Sequence, residues 1–176
     1  MKIITITGYK GGVGKSTTAI HLAAFFCEHG KTLLVDGDPN HTAVKWGSRA
    51  KETLPFQVAD QRQSVRLVPG AEYVIIDTPA RPDSDDLKEL AKGCDLLILP
   101  TSPDIFSLEP MLQIASDLGD AQYRALVTVV PPPPSKEGEL MLSDLKEGEI
   151  PVFEPTVRRT VAFGKAALQG CPVRDI

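Results

Sequence analysis

Cysteine, aromatic side chains and long apolar runs are all scarce in this chain. Its three cysteines in 176 residues, Cys27, Cys94 and Cys171, are odd in number and far apart, which fits neither a disulfide framework nor the paired spacing of a metal site. No stretch approaches the ~20 consecutive apolar residues of a membrane helix, and the apolar part of Met1–Thr7 is too short for a signal peptide. Positive charge is not in excess: 19 Lys and Arg against 23 Asp and Glu give a formal net charge of −4. Any contact with nucleic acid or lipid must therefore come from a local patch. These absences predict a soluble, cytoplasmic protein. With 42% hydrophobic residues over its 176 positions, the chain suits one domain, residues 1–176, with a full core.

What the chain does have is alternation. Apolar runs of strand length capped by turn residues occur at Lys2–Thr7, Thr32–Asp36, Tyr73–Asp77, Asp95–Pro100, Arg124–Val130 and Ile150–Phe153. Helix-like stretches lie between them at Lys15–Glu28, Asp83–Gly93, Ser107–Leu118 and Val157–Gln169. Runs apolar on both faces, alternating with helices, predict an α/β fold: a doubly wound, mainly parallel sheet with helices on both faces. Phe56–Ala59 reads as an edge strand and Gln61–Val68 as a short helix or loop. The run Pro131–Pro134 suits neither a helix interior nor a central strand, so it reads as a stiff surface connection or as a site for a proline-binding partner.

The chemistry concentrates where the first strand meets the first helix, in Tyr9-Lys10-Gly11-Gly12-Val13-Gly14-Lys15-Ser16-Thr17. A phosphate loop reads G-x-x-x-x-G-K-[ST] between a strand and a helix; here its first glycine is replaced by Tyr9, and a second lysine follows. Gly11, Gly12 and Gly14 would allow successive backbone N–H groups to face phosphate oxygens, with the helix N-terminus adding positive potential. Lys15 is expected on the β- and γ-phosphates, Ser16 on Mg²⁺ and Thr17 near the α-phosphate. Two acidic sites end predicted strands. Asp77, after an apolar run and before the loop that Thr78-Pro79 should open, reads as a carboxylate holding Mg²⁺ through water. Asp36 and Asp38 flank Gly37; in an extended segment both would share one face, one orienting water and the other securing the metal shell. The alternative for this pair is a solvated turn with Asx hydrogen bonds.

Lys10–Thr17, Asp36–Asn40 and Asp77–Pro79, in this order and spacing, resemble the deviant Walker ATPases of the ParA/MinD family. The resemblance extends to Leu99–Pro103, to Pro155–Arg159, and to Gly170 and Pro172-Val173 downstream. It implies ATP and Mg²⁺ as cofactors and an ATP-bound homodimer with nucleotide sandwiched between subunits. Lys10 would reach the phosphate of the opposite subunit, Lys15 would act in cis, Asp38 would match the water-activating aspartate, and Asp36 and Asp77 would match the acids around Mg²⁺. Two positions depart from the family pattern. Thr128-Val129-Val130 lies where members often have an asparagine near the adenine, and His41 stands where they often have glycine.

The tail Gln169–Ile176 is short and contains a proline, unlike the amphipathic membrane helix of MinD-type members, so no membrane partner is expected. The chain begins at the first strand, without the DNA-binding extension of long ParA proteins. The small ParA branch remains, whose members bind DNA nonspecifically as dimers and position cargo on the nucleoid. Arg158, Arg159, Lys165 and Arg174 form the one local basic excess and could bind phosphates without reading sequence, or form an ordinary solvated helix face. Within that branch the chain looks most like the carboxysome-distributing ATPases, which implies an adaptor of McdB type; plasmid partition with a ParB-type adaptor is the alternative. A small-molecule ATP-dependent ligase resembling dethiobiotin synthetase is a more distant one.

Overall fold

A computed structural model describes residues 1–119 and 121–176. Its strands are β1 (Lys2–Gly8), β2 (Thr32–Asp36), β3 (Gln57–Asp60), β4 (Tyr73–Ala80), β5 (Leu96–Thr101) and β6 (Tyr123–Val127). Its helices are α1 (Lys15–Phe26), α2 (Thr42–Gly47), α3 (Gln61–Leu67), α4 (Ser84–Lys92), α5 (Ile105–Leu118), α6 (Glu137–Glu147) and α7 (Val161–Gln169). The strands form one sheet in the order β3-β2-β4-β1-β5-β6, and β2 pairs in parallel with β3 and β4, as β5 does with β6. This is the doubly wound α/β fold expected from the alternation. Among the described residues no helix is long and apolar enough to cross a membrane.

Contacts divide the chain into two compact units, one of residues 1–6, 16–79 and 160–176, the other of residues 7–15 and 80–159. In the first, all five residues of β2 are buried, which is why its sequence is apolar without alternation. Leu33, Val35, Ala59 and Val74 form a cluster there, with Leu67 and Ile76 packed against it. In the second, Leu97 and Leu99 of β5, Met111 and Ile114 of α5, Ala125 and Val127 of β6, and Met141 and Leu145 of α6 share one core. Each large side chain so buried contributes roughly 1.5–3 kcal/mol. The edge strand β6 keeps the alternation that β2 lacks, with Arg124 exposed between buried Tyr123 and Ala125.

Several expected elements differ. Ile150–Phe153 is not a strand: only Val152 bridges to Ala125, with Pro151 and Pro155 unable to donate to a ladder. The last helix starts at Val161 and not at Val157. Val157 donates to the Val127 carbonyl at 2.9 Å and Arg159 to that of Val130 at 2.8 Å, and Thr160 caps the helix by accepting from the Ala162 N–H. The segment Gln61–Val68 resolves to helix, with the Asp60 side chain capping it through the Gln63 N–H. Strand β4 continues through Thr78-Pro79 to Ala80, so these residues do not open a loop. Helices α2 and α6 were not anticipated.

Candidate nucleotide site

Strand β1 ends at Gly8, residues 9–14 form a loop, and α1 begins at Lys15. Gly12 and Gly14 have φ of +81° and +85°, the left-handed region that side chains resist. An αL turn of this kind turns adjacent N–H groups outward into an anion-binding concavity. Gly11 has neither a positive φ nor any atom within 4 Å of a built Cβ, so the conformational reason expected for it is absent.

The two lysines of the loop are held differently. Lys15 is buried at 7% exposure, and its Nζ lies 3.4 Å from the Lys10 carbonyl. Lys10 points to the N-terminus of α5. Its ammonium donates to Asp104 Oδ1 at 2.8 Å, Asp104 Oδ2 at 3.0 Å and Ser107 Oγ at 3.2 Å. Asp104 Oδ2 also accepts from Ser102 Oγ at 2.7 Å and Ser107 Oγ at 3.0 Å. Burial pushes the Asp104 carboxyl up, but the hydrogen bonds from Lys10, Ser102 and Ser107 outweigh it and hold the group below the usual carboxylate range. Sequence reasoning stopped at Pro103 and missed Asp104 and Ser107. The available signal was Ser102-Pro103-Asp104, an N-cap pattern ahead of an apolar helix.

In the other unit, Asp36 and Asp77 are register partners on β2 and β4, with exposures of 1% and 0%. The Asp36 carboxylate accepts the Asp38 N–H at 3.2 Å and the Val44 N–H at 2.9 Å, so it caps α2. Asp38 lies beyond the strand, half-buried in a turn, and its Oδ1 accepts the Asn40 N–H at 2.7 Å. Both aspartates therefore make Asx hydrogen bonds, and they do not share one face of an extended segment. Gly37 donates to the Asp77 carbonyl at 2.8 Å, and a Cβ there would sit 3.0 Å from that oxygen. Glycine lets the two strand ends approach this closely. His41 has φ +51° and ψ +46°, the conformation a glycine would adopt without strain. Ser16 and Thr17 stand half-buried in the first turn of α1.

The basic residues are dispersed. Arg158 and Arg159 are exposed on the extended segment beside Val130, not on a helix, whereas Lys165 is exposed on α7. Arg174 forms ion pairs with Glu28 and Asp175 and drops out of the proposed excess.

Residues 4–173 match the CobQ/CobB/MinD/ParA nucleotide-binding domain. The chain belongs to this family. It is a ParA/MinD-type ATPase. Maintenance of carboxysome distribution protein A of Gloeobacter kilaueensis is 33% identical over 98% of this chain and 83% of its own length. The protein of the same name from Halothiobacillus neapolitanus is 27% identical over 97% of this chain and 85% of its own. Cyanothece McdA in its apo form aligns with a TM-score of 0.74 at 18% identity, covering 99% of this chain and 92% of that one, and thereby matches this ATPase in fold.

Proposed function

We propose that this ATPase forms an ATP-dependent sandwich dimer, binds DNA without sequence preference, and positions carboxysomes through an adaptor of McdB type that stimulates hydrolysis. It would work in the cytoplasm on the nucleoid, its two compact units acting as one domain. The observation that carries the reading is the division between the two lysines: Lys15 is buried beneath its own loop, while the Lys10 side chain is 43% exposed and held by Asp104. A cation so placed suits delivery to a second subunit's phosphate. The similarity to the carboxysome-distribution proteins supports the cargo.

When bound, ATP supplies the phosphoanhydride that is cleaved, and Mg²⁺ neutralises its charge. Among the described residues there is no group of three His, Cys, Asp or Glu able to hold a metal. The hard oxygen donors Ser16, Asp36 and Asp77 suit Mg²⁺, which retains most of its waters and takes few protein ligands: Ser16 would bind it directly, and Asp36 and Asp77 would hold its waters. Gly11–Gly14 and Thr17 would cradle phosphates through backbone and hydroxyl donors. Asp38 would orient the attacking water through Oδ2, which accepts no hydrogen bond among the described residues. Arg158, Arg159 and Lys165 would contact DNA phosphates.

The test is sedimentation of Asp38→Ala with ATP and with ADP, with and without Lys10→Ala. Asp38→Ala should bind ATP and accumulate as a dimer with ATP alone, and adding Lys10→Ala should return it to monomer with nucleotide retained. Persistent monomer in ATP-loaded Asp38→Ala would reject the sandwich. Replacing Arg158 and Arg159 by alanine should weaken binding to random-sequence DNA and flatten its salt dependence; an unchanged slope would move the DNA surface elsewhere.

A further inference from the structure

Thr128 lies just past β6, 3% exposed. Its Oγ1 is 2.7 Å from the Val13 carbonyl oxygen, across 115 positions of sequence, and 3.1 Å from the Thr101 carbonyl. The Thr128 N–H donates to the same Thr101 oxygen at 2.8 Å. Val13 is the loop residue between Gly12 and Gly14, itself 2% exposed. Its carbonyl faces into the protein while the flanking glycines take left-handed conformations, so fixing that oxygen fixes the tilt of the peptide plane whose N–H belongs to Gly14.

The next residue carries a second sign of constraint. Val129 has φ +55°, which a β-branched residue adopts only when its surroundings impose it. Those surroundings are the Thr128 bonds on one side and, on the other, the Val130 N–H donating to the Val157 carbonyl at 3.1 Å. Thr101, whose carbonyl accepts the Thr128 N–H, leads directly into Ser102 and Asp104; Ser102 donates to Asp104, and Asp104 holds Lys10. Thr128 thus fixes the far end of the phosphate loop directly, and it fixes the strand end from which Lys10 is anchored.

We infer that Thr128 is a positioning residue for the phosphate loop: its hydroxyl holds the Val13 carbonyl so that the Gly12–Gly14 peptides keep the orientation that receives phosphate. This rests on the reading of residues 10–17 as the ATP phosphate site. The side chain itself touches no phosphate in this role.

The test compares Thr128→Val, which keeps the shape and removes the hydroxyl, with Thr128→Ser, which keeps the hydroxyl. Thr32→Val is the control, since Thr32 is also buried and donates to a backbone carbonyl, that of Gly30, at 3.0 Å. Thr128→Val should raise the dissociation constants of ATP and ADP about tenfold, as expected when one buried carbonyl loses its donor. Thr128→Ser should restore them to within about twofold, and Thr32→Val should lower thermal stability without changing them. Unchanged nucleotide affinity in folded Thr128→Val, or equal weakening in Thr128→Ser and Thr32→Val, would overturn the inference. Failure of the wild-type protein to bind ATP would instead reject the phosphate-site reading. If Thr128→Val does not fold, the serine variant decides: affinity that falls about tenfold with the hydroxyl present refutes the role.

Discussion

On the proposed sandwich-dimer reading, replacing Asp104 by asparagine should strengthen the ATP-bound dimer. In the monomer Lys10 is bound to Asp104 at 2.8 and 3.0 Å, and a lysine that is to reach a second subunit's phosphate must first leave. The side chains are 43% and 35% exposed, so solvent screening limits the pair to the range of surface salt bridges, ~0.2–1 kcal/mol. Hydrogen bonds from Ser102 and Ser107 hold the carboxylate in place and put it at the upper end. Two subunits each give up about 1 kcal/mol on dimerising, roughly 2 kcal/mol in all, or a factor of about 30 in the association constant. Asparagine keeps the shape and one acceptor but removes the charge. The assay is sedimentation equilibrium with saturating ATP in the Asp38→Ala background, beside ATP titration of the monomer. Dimerisation should tighten about 10- to 30-fold, with ATP affinity of the monomer unchanged. Equal or weaker dimerisation at full ATP occupancy would refute the idea that Asp104 competes with phosphate for Lys10.

Two further outcomes follow from the other unit. Gly37→Ala places a Cβ 3.0 Å from the Asp77 carbonyl oxygen, which must give by a few tenths of an ångström; calorimetry should show a loss of about 1–3 kcal/mol and turnover should fall, while unchanged values would mean that the contact relaxes without cost. His21 is neutral in the folded state, because the Thr17 carbonyl can only accept from Nδ1 at 2.7 Å and the Val173 N–H donates to Nε2 at 3.0 Å. Burial lowers its pKa from 6.5, with Arg174 adding to the fall and the Thr17 bond opposing it. The unfolded chain therefore binds a proton near pH 6.5 that the folded chain refuses, and stability present above that pH is lost as pH falls below it. Urea midpoints between pH 7.5 and 5.5, a range set around the ordinary His value, should drop more steeply in the wild type than in His21→Phe, which keeps a ring against Trp46 and Phe163; parallel slopes would exclude His21 as the cause.

What the sequence revealed and what it hid divide along one physical line. Strand β2 and helix α4 were legible because their signals are local: a buried apolar run in one case, Asp83 at the cap and Gly93 at the end in the other. The strand, glycine loop and helix of residues 2–26 were legible for the same reason, since Gly12, Gly14 and Lys15 adjoin in sequence. Helix α2 was not, because its cap comes from Asp36, eight positions before Val44. Helix α6 carried a readable spacing in Met141 and Leu145, but its N-cap residue, Lys136, makes no side-chain cap hydrogen bond. The extended course of Val157–Arg159 was hidden because it is imposed by Val127 and Val130 from a distant part of the chain. The contacts of Asp104 with Lys10 and of Thr128 with Val13 were hidden similarly: the partners lie 94 and 115 positions apart, beyond anything that spacing encodes.

The three carboxylates can be separated by what their oxygens already hold. Asp36 accepts the Asp38 N–H on one oxygen and the Val44 N–H on the other, so both of its oxygens are fixed by the turn and the start of α2. Asp77 is fully buried, with less access than Asp38 to a water arriving from solvent. Asp38 gives one oxygen to Asn40 and stays half-exposed. A group that orients an attacking water needs both an acceptor lone pair and access to solvent, and Asp38 combines them. Removing Asp36 would also release the α2 cap, about 0.5–2 kcal/mol for such a bond, and would confound lost chemistry with lost structure. On the proposed role, Asp38→Ala is therefore the substitution expected to separate ATP binding from turnover.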